Sequence, residues 1–167
     1  SNGRYSLFIT DTGLSRAQNF EVELYGLDGR YISDRIGVSF FIMDDYVHSL
    51  MPAPFYNKEI TYQAKVNPSS VTHVSNGNGF STSVETFVSR KENAEVRSVK
   101  IKNVSDDEKE FSLVCYFEPT VGKYNDFYAH KSFSKLFLET KIDKNIVYVK
   151  RRPRNPAKER PLTIGFF

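Results

Sequence analysis

Three arginines crowd a single proline in the stretch "YVKRRPRNP", residues 148–156, where Arg151, Arg152 and Arg154 surround Pro153. Guanidinium groups at that spacing can clamp a phosphate bidentately, dock on nucleic acid, or pair with carboxylates of a neighbouring piece of protein. Pro153 fixes an extended backbone that splays the three side chains. No glycine-rich loop stands nearby, so structural pairing or interdomain docking is favoured over ligand contact. The histidines come next. His48, His73 and His130 fall in or beside loops, and no nucleophile pattern such as G-x-S-x-G accompanies them. The expectation is solvated loop histidine, with His130 in "NDFYAHKSF" the best candidate of the three because aromatics and polar groups surround it. Asp44-Asp45 and the "SDDE" of 105–108 are the carboxylate groupings that sugar chemistry would draw on. Adjacent strand residues face opposite ways, which weakens the first, and the second reads as a hairpin turn.

Aromatics are abundant, with 14 Phe and 10 Tyr but no Trp. Most fall at strand positions, where core packing explains them. Tyr46, Phe55, Tyr56, Tyr124, Phe127 and Tyr128 lie in irregular stretches and are candidates for contact with a ligand or partner domain. Cys115, the single cysteine, sits in the apolar run "FSLVCYFE" and is expected to be a buried, inert thiol. One cysteine and three scattered histidines give no zinc spacing, so neither a metal nor another cofactor is expected. The 23 basic residues against 20 acidic ones leave a net charge of +3. Nucleic-acid binders concentrate a larger excess on one face, so that partner class is set aside. The longest apolar run, "GVSFFIM", is far short of the ~20 residues of a membrane span.

The elements that must position these residues are strands. Runs rich in aromatic and β-branched residues occur at 4–10, 20–26, 37–43, 59–66, 80–90, 95–104, 109–118, 133–140 and 145–151. Asn/Asp-Gly turns at 27–30 ("LDGR") and 75–79 ("SNGNG") supply the positive φ of tight reversals. The clearest hairpin is expected at 95–118, turning at "SDDE", with Val99 and Ile101 alternating in one arm and Phe111, Leu113, Cys115 and Phe117 in the other. No segment sustains a 3.6-residue apolar period over three turns. The fold class is therefore all-β, an antiparallel two-sheet sandwich in a single domain over residues 1–167. The start at "SNGRYS" and the apolar end "PLTIGFF" suggest a piece of a longer, cytoplasmic protein.

Four stretches carry a family likeness: "NGRYSLFITDTGLSR" (2–16), "DRIGVSFFIMDD" (34–45), "EVRSVKIKNVSDDEKEFSLVCYFE" (95–118) and "HKSFSKLFLET…RRPRNP" (130–156). In that order they resemble the family 94 glycoside phosphorylases, and more closely the sandwich domain of cyclic β-1,2-glucan synthases, formerly glycosyltransferase family 36. The resemblance implies a galactose-mutarotase-like supersandwich that precedes a helical (α/α)6 barrel carrying the catalytic acid. This domain would brace the barrel, help form a homodimer and lend loops to the rim of a gluco-oligosaccharide site. It implies carbohydrate contact for Asp11, Arg16, His130 and Phe133, and an interdomain role for Arg151, Arg152 and Arg154. Leu14, Met43 and Lys131 stand where many members carry an aromatic, an arginine and a proline. The expected function is a non-catalytic domain of a carbohydrate-active enzyme; an autonomous carbohydrate-binding module is the alternative.

Overall fold

The computed structural model describes residues 1–26, 37–157 and 160–167, and only the backbone of Phe127, Tyr128 and Lys131. Alternating apolar and polar residues dictate strands nearly throughout. They are β1 (Tyr5–Ile9), β2 (Ser15–Asn19), β3 (Val22–Tyr25), β4 (Val38–Met43), β5 (Val47–Ser49), β6 (Thr61–Val66), β7 (Ser70–Gly77), β8 (Phe80–Val88) and β9 (Glu95–Asn103). Then follow β10 (Ser112–Phe117), β11 (Pro119–Lys123), two short helices α1 (Tyr124–Ala129) and α2 (Lys131–Lys135), and β12 (Leu138–Asp143), β13 (Ile146–Arg151) and β14 (Leu162–Phe166). Among the described residues every strand pairing is antiparallel, and hydrogen bonding sorts the strands into four sheets: β1-β2-β3-β11, β10-β4-β5, β6-β7-β8-β9 and β12-β13-β14. The all-β antiparallel sandwich expected from the sequence is what the chain forms.

One core joins three of these sheets. Tyr5, Ala17, Leu24 and Tyr25 come from the first, Val38, Phe40 and Ile42 from the second, and Phe80 and Val84 from the third; Leu50 and Met51 complete it. Strand β8 shows why the pattern works, for Phe80, Thr82, Val84 and Thr86 are buried in strict alternation with less buried neighbours. The inward hydroxyls are satisfied in place, as Ser75 and Thr82 hydrogen-bond each other at 2.6 Å. The β7–β8 reversal is a two-residue turn with Asn78 at φ 51° and Gly79 at φ 81°, the left-handed pair that an Asn-Gly sequence supplies. The "LDGR" turn at 27–30 lies outside the described residues.

Several expectations are corrected. Residues 95–118 are not a hairpin: β9 pairs with β8 from Phe80↔Asn103 to Val88↔Glu95, whereas β10 pairs with β4. After β9, the Val104 N–H bonds the Gly79 carbonyl at 2.8 Å, and the Asn103 side chain ties Ser105 and Asp107 into an arch. Phe111 then lands edge-on against Phe80, with centroids 5.4 Å apart. The turn chemistry of "NVSDDE" suits an arch between sheets as well as a hairpin. Cys115 is exposed rather than buried; among the described residues β10 ends its sheet and pairs on one side only. The stretch around Tyr124, Phe127 and Tyr128, expected to be irregular, contains β11 and α1. No described helix is long and apolar enough to cross a membrane.

Candidate functional site

The residues singled out for ligand or interdomain contact converge mainly on one corner. Strand β11 pairs with β3 through Gly122↔Glu23 and Lys123↔Val22, which delivers the start of α1 beside β3 and its neighbour β2. Between Pro119 and Gly122 the register shifts, and Val121 adopts φ 43°, a bulge that bends the strand toward the helices. Here Arg16 of β2 reaches the almost fully buried carboxylate of Glu23 at 3.2 Å and stacks over the Tyr124 ring, 5.0 Å from its centroid. A cation is thus held over an aromatic face by a carboxylate beneath it.

Helices of six and five residues do not persist alone in water. The arginine cluster holds them. Arg151, buried, donates to the Ser134 carbonyl at 3.2 Å, and Arg152 donates to the Leu136 carbonyl at 3.0 Å. Both carbonyls lie at the C-terminal end of α2, where unsatisfied acceptors and the helix dipole favour a cation. Arg152 also pairs with Glu139 at 3.0 Å, and its backbone N–H bonds the Phe137 carbonyl at 2.9 Å. Arg154 lies over the rings of Phe133 and Phe137, at 5.6 and 5.5 Å. Lys135 pairs with Glu118 on the other side of α2. Above this bracing, His130, Phe133, Leu136 and Tyr124 face solvent.

Asp11 does not join this corner. It is exposed in the β1–β2 loop, which packs on the segment after β5 through Ala53 N–H to Thr12 O at 2.9 Å. That loop also receives His73, whose Nε2 bonds the Thr10 carbonyl at 2.9 Å. His73 and His48 are buried strand residues, not the solvated loop histidines expected. Burial pushes the His73 imidazole below its ordinary pKa, although the Thr10 carbonyl and Asp11 pull the other way. His48 bridges Asp44 at 3.0 Å and Asn78 at 2.7 Å, which ties the β4–β5 turn to the β7–β8 turn. Backbone and His48 bonds hold the Asp44 carboxyl below its usual range. Tyr46, Phe55 and Tyr56 are exposed as expected of contact candidates. Among the described residues no group of histidine, cysteine and carboxylate side chains could hold a metal ion.

A second polar cluster escaped the sequence reading. Glu95 accepts from Tyr5 at 3.0 Å and from Tyr25 at 2.6 Å, and pairs with Arg97 at 2.8 Å. Arg97 also donates to Ser15 Oγ, Tyr25 Oη and the Val38 carbonyl. Gly37 makes room for this, since a Cβ there would lie 2.4 Å from Ser15 O and Oγ. The signal was present: continuing the inward alternation of Val99 and Ile101 back along β9 points Arg97 and Glu95 into the core.

The whole chain has counterparts among known proteins. Residues 1–166 match the glycosyl hydrolase 94 supersandwich domain. A cyclic β-(1,2)-glucan synthase from Rhizobium meliloti (strain 1021) is 25% identical over 162 residues, which is 94% of this chain but 6% of that protein. The chain thus spans a small part of that relative. With an antiparallel all-β fold and a match over nearly every residue, the chain belongs to the glycosyl hydrolase 94 supersandwich domains, which are domains of carbohydrate-active enzymes.

Proposed function

We propose that this sandwich is a non-catalytic domain of a bacterial, cytoplasmic glucan-active enzyme, a glycoside phosphorylase or a cyclic β-1,2-glucan synthase. It braces a helical catalytic domain, lends side chains to the rim of a gluco-oligosaccharide site and helps two subunits pair. The observation that carries this reading is the helical corner, where short helices are anchored from below by Arg151, Arg152 and Arg154 while Phe133 and Leu136 stand 50% and 67% exposed. Exposed apolar side chains on a braced support suit contact with a partner domain. The arginines then serve interdomain docking indirectly, by fixing the helices that make it. Arg16 and His130 lie on the same corner and are the side chains through which it would meet sugar; Asp11 would act from its separate loop.

Titration of the isolated chain with β-1,2- and β-1,4-gluco-oligosaccharides tests the reading. Silence is expected, because a rim supplies only part of a site. Saturable binding by the chain alone would favour an autonomous carbohydrate-binding module. In the parent enzyme, Phe133→Ala with Leu136→Ser is expected to lower activity and thermal stability together, while leaving the melting of the isolated domain nearly unchanged.

A further inference from the structure

The seam between β1 and the β7–β8 hairpin is tied at its two ends and hollow between them. At one end the Asn2 side-chain amide donates to the Ser89 and Glu92 carbonyls at 2.8 and 2.9 Å, and Tyr5 donates to Glu95 at 3.0 Å. At the other, His73 of β7 reaches across to the Thr10 carbonyl at 2.9 Å. Between them lies a cleft of about 810 Å³, lined by Leu7 and Ile9 of β1 and by Val71, Thr86 and Val88 of the hairpin. All its lining residues belong to the described parts of the chain. The Thr86 hydroxyl is buried there without a hydrogen-bond partner. The close packing that joins the sheets elsewhere is interrupted along this seam, which leaves the end bonds to hold it.

A carbonyl only accepts, so His73 Nε2 carries the ring hydrogen and Nδ1 is a bare acceptor. Nδ1 is buried and has no hydrogen-bond partner. The flanking strands bring only Ala64 and Val84 opposite His73. The charges that act on the ring are Arg97 of β9, which opposes a second proton, and Asp11 of the β1–β2 loop, which favours one but is exposed. A proton added at Nδ1 thus puts an N–H and a full charge where no acceptor waits, in the field of a guanidinium.

We infer that His73 is an acid-released latch: protonation of its ring breaks the hold on Thr10 and opens that end of the seam while the rest of the sandwich stays folded. The parts that separate are each complete. Segment 10–14 is closed on itself by Thr10 N–H to the Leu14 carbonyl at 2.9 Å and Leu14 N–H to Thr10 Oγ1 at 3.0 Å. The Thr10 carbonyl also accepts from the Gly13 N–H at 3.1 Å, so it is not stranded when the ring leaves. The Asn2 bonds at the far end involve no titratable group and hold through the transition. Burial outweighs the Thr10 bond and makes the ring harder to protonate in the closed seam than in water. The seam is therefore shut at neutral pH and opens as the pH falls below the ordinary histidine value of about 6.5. Asp11 rides on segment 10–14, so a sugar contact it makes in the parent enzyme is withdrawn in acid; that consequence rests on the function proposed above, and the latch does not.

Nuclear magnetic resonance of the full chain, titrated from about pH 7.5 to about pH 5, reads the latch without any ligand. At neutral pH the His73 nitrogens are expected to show the Nε2–H tautomer, with Overhauser contacts from the ring to Thr10. On acidification those contacts should vanish as the ring takes up its proton, while the amide signals of β8 and β9 keep their native positions. His73→Gln offers an amide N–H to the same carbonyl and does not titrate, so its seam should stay closed over the whole range. The wild-type titration decides the matter even where that variant folds poorly. A ring that is protonated while still against Thr10, a ring that resists protonation until β8 and β9 unfold with it, or a seam that opens in His73→Gln as in the wild type would each overturn the assignment. A parent enzyme indifferent to Asp11→Asn would remove the sugar consequence and leave the latch standing.

Discussion

Arg97 illustrates how one side chain can decide whether layers stay together. It reaches Glu95 on its own strand, Ser15 on β2, Tyr25 on β3 and the Val38 carbonyl on β4, so three sheets meet at one guanidinium. Burial works against its charge, but Tyr25 and Glu95 outweigh that and hold it protonated. The same burial, reinforced by Glu95, pushes the Tyr5 and Tyr25 hydroxyls well above the usual phenol range, so both remain donors. Removing the cation strands a buried carboxylate, and Arg97→Met is expected to cost about 3–5 kcal/mol in urea denaturation. Tyr25→Phe removes one donor and keeps the ring, and is expected to cost about 1–3 kcal/mol. His73 gives a pH dependence. Its folded pKa is depressed below 6.5, so the unfolded chain binds the proton more readily. Stability is then fully present above that value and falls as the solution is acidified toward the folded pKa. A melting temperature that drops below neutral pH in the wild type, and drops less in His73→Gln, is the expected observation. These roles were half legible. The alternation of β9 encodes an inward Arg97, but a charged pair is ordinarily assigned to the solvent face, and only the Tyr5 and Tyr25 hydroxyls make the inward choice affordable.

Among the elements, the α1–α2 corner separates what sequence pattern conveys from what tertiary contact adds. Helices this short carry no apolar period, so nothing distinguished them from loop. The arginines were conspicuous, yet their targets were not, because backbone carbonyls of α2 leave no mark in composition. Arg151 and Arg152, adjacent in sequence, are expected to behave very differently. Arg151 is buried and donates to a carbonyl inside the fold, so Arg151→Ala should destabilise by about 2–4 kcal/mol, the cost of a lost charged hydrogen bond and lost packing. Arg152 pairs with Glu139 in the open, both side chains about half exposed, and Arg152→Ala should cost about 1 kcal/mol or less. Chemical denaturation of the two variants side by side checks the contrast. The misassigned 95–118 hairpin has a similar origin: alternation identifies strands, but nothing local tells β10 that its neighbour is β4 rather than β9.

For the whole molecule, the all-β class was readable although β2, β5, β7, β11 and β14 went unmarked and residues 133–135, expected as strand, lie in α2, and the family likeness from four short stretches was matched over residues 1–166. Connectivity was not readable, because the pairings that close the sandwich are distant in sequence. Strand β3 depends on β11 and β4 on β10. A chain cut after Asn103 therefore leaves two of its sheets without an outer strand, although all core residues but Val121 and Val149 remain. It is expected to show no cooperative thermal transition by circular dichroism, while the intact chain melts in one. The β12–β14 meander stands apart from this interdependence. Its three strands are consecutive and pair among themselves, and they meet the rest through the arginine contacts to α2, Arg151 beside Gly122, Ile164 against the core and the stacked rings of Phe117 and Phe166. Exchanging that portion would leave the strand registers of the other three sheets alone but would take with it the arginines that hold α2. The outer rim and the helical corner are therefore one mechanical unit, and whatever shifts the meander also shifts the surface that α2 presents.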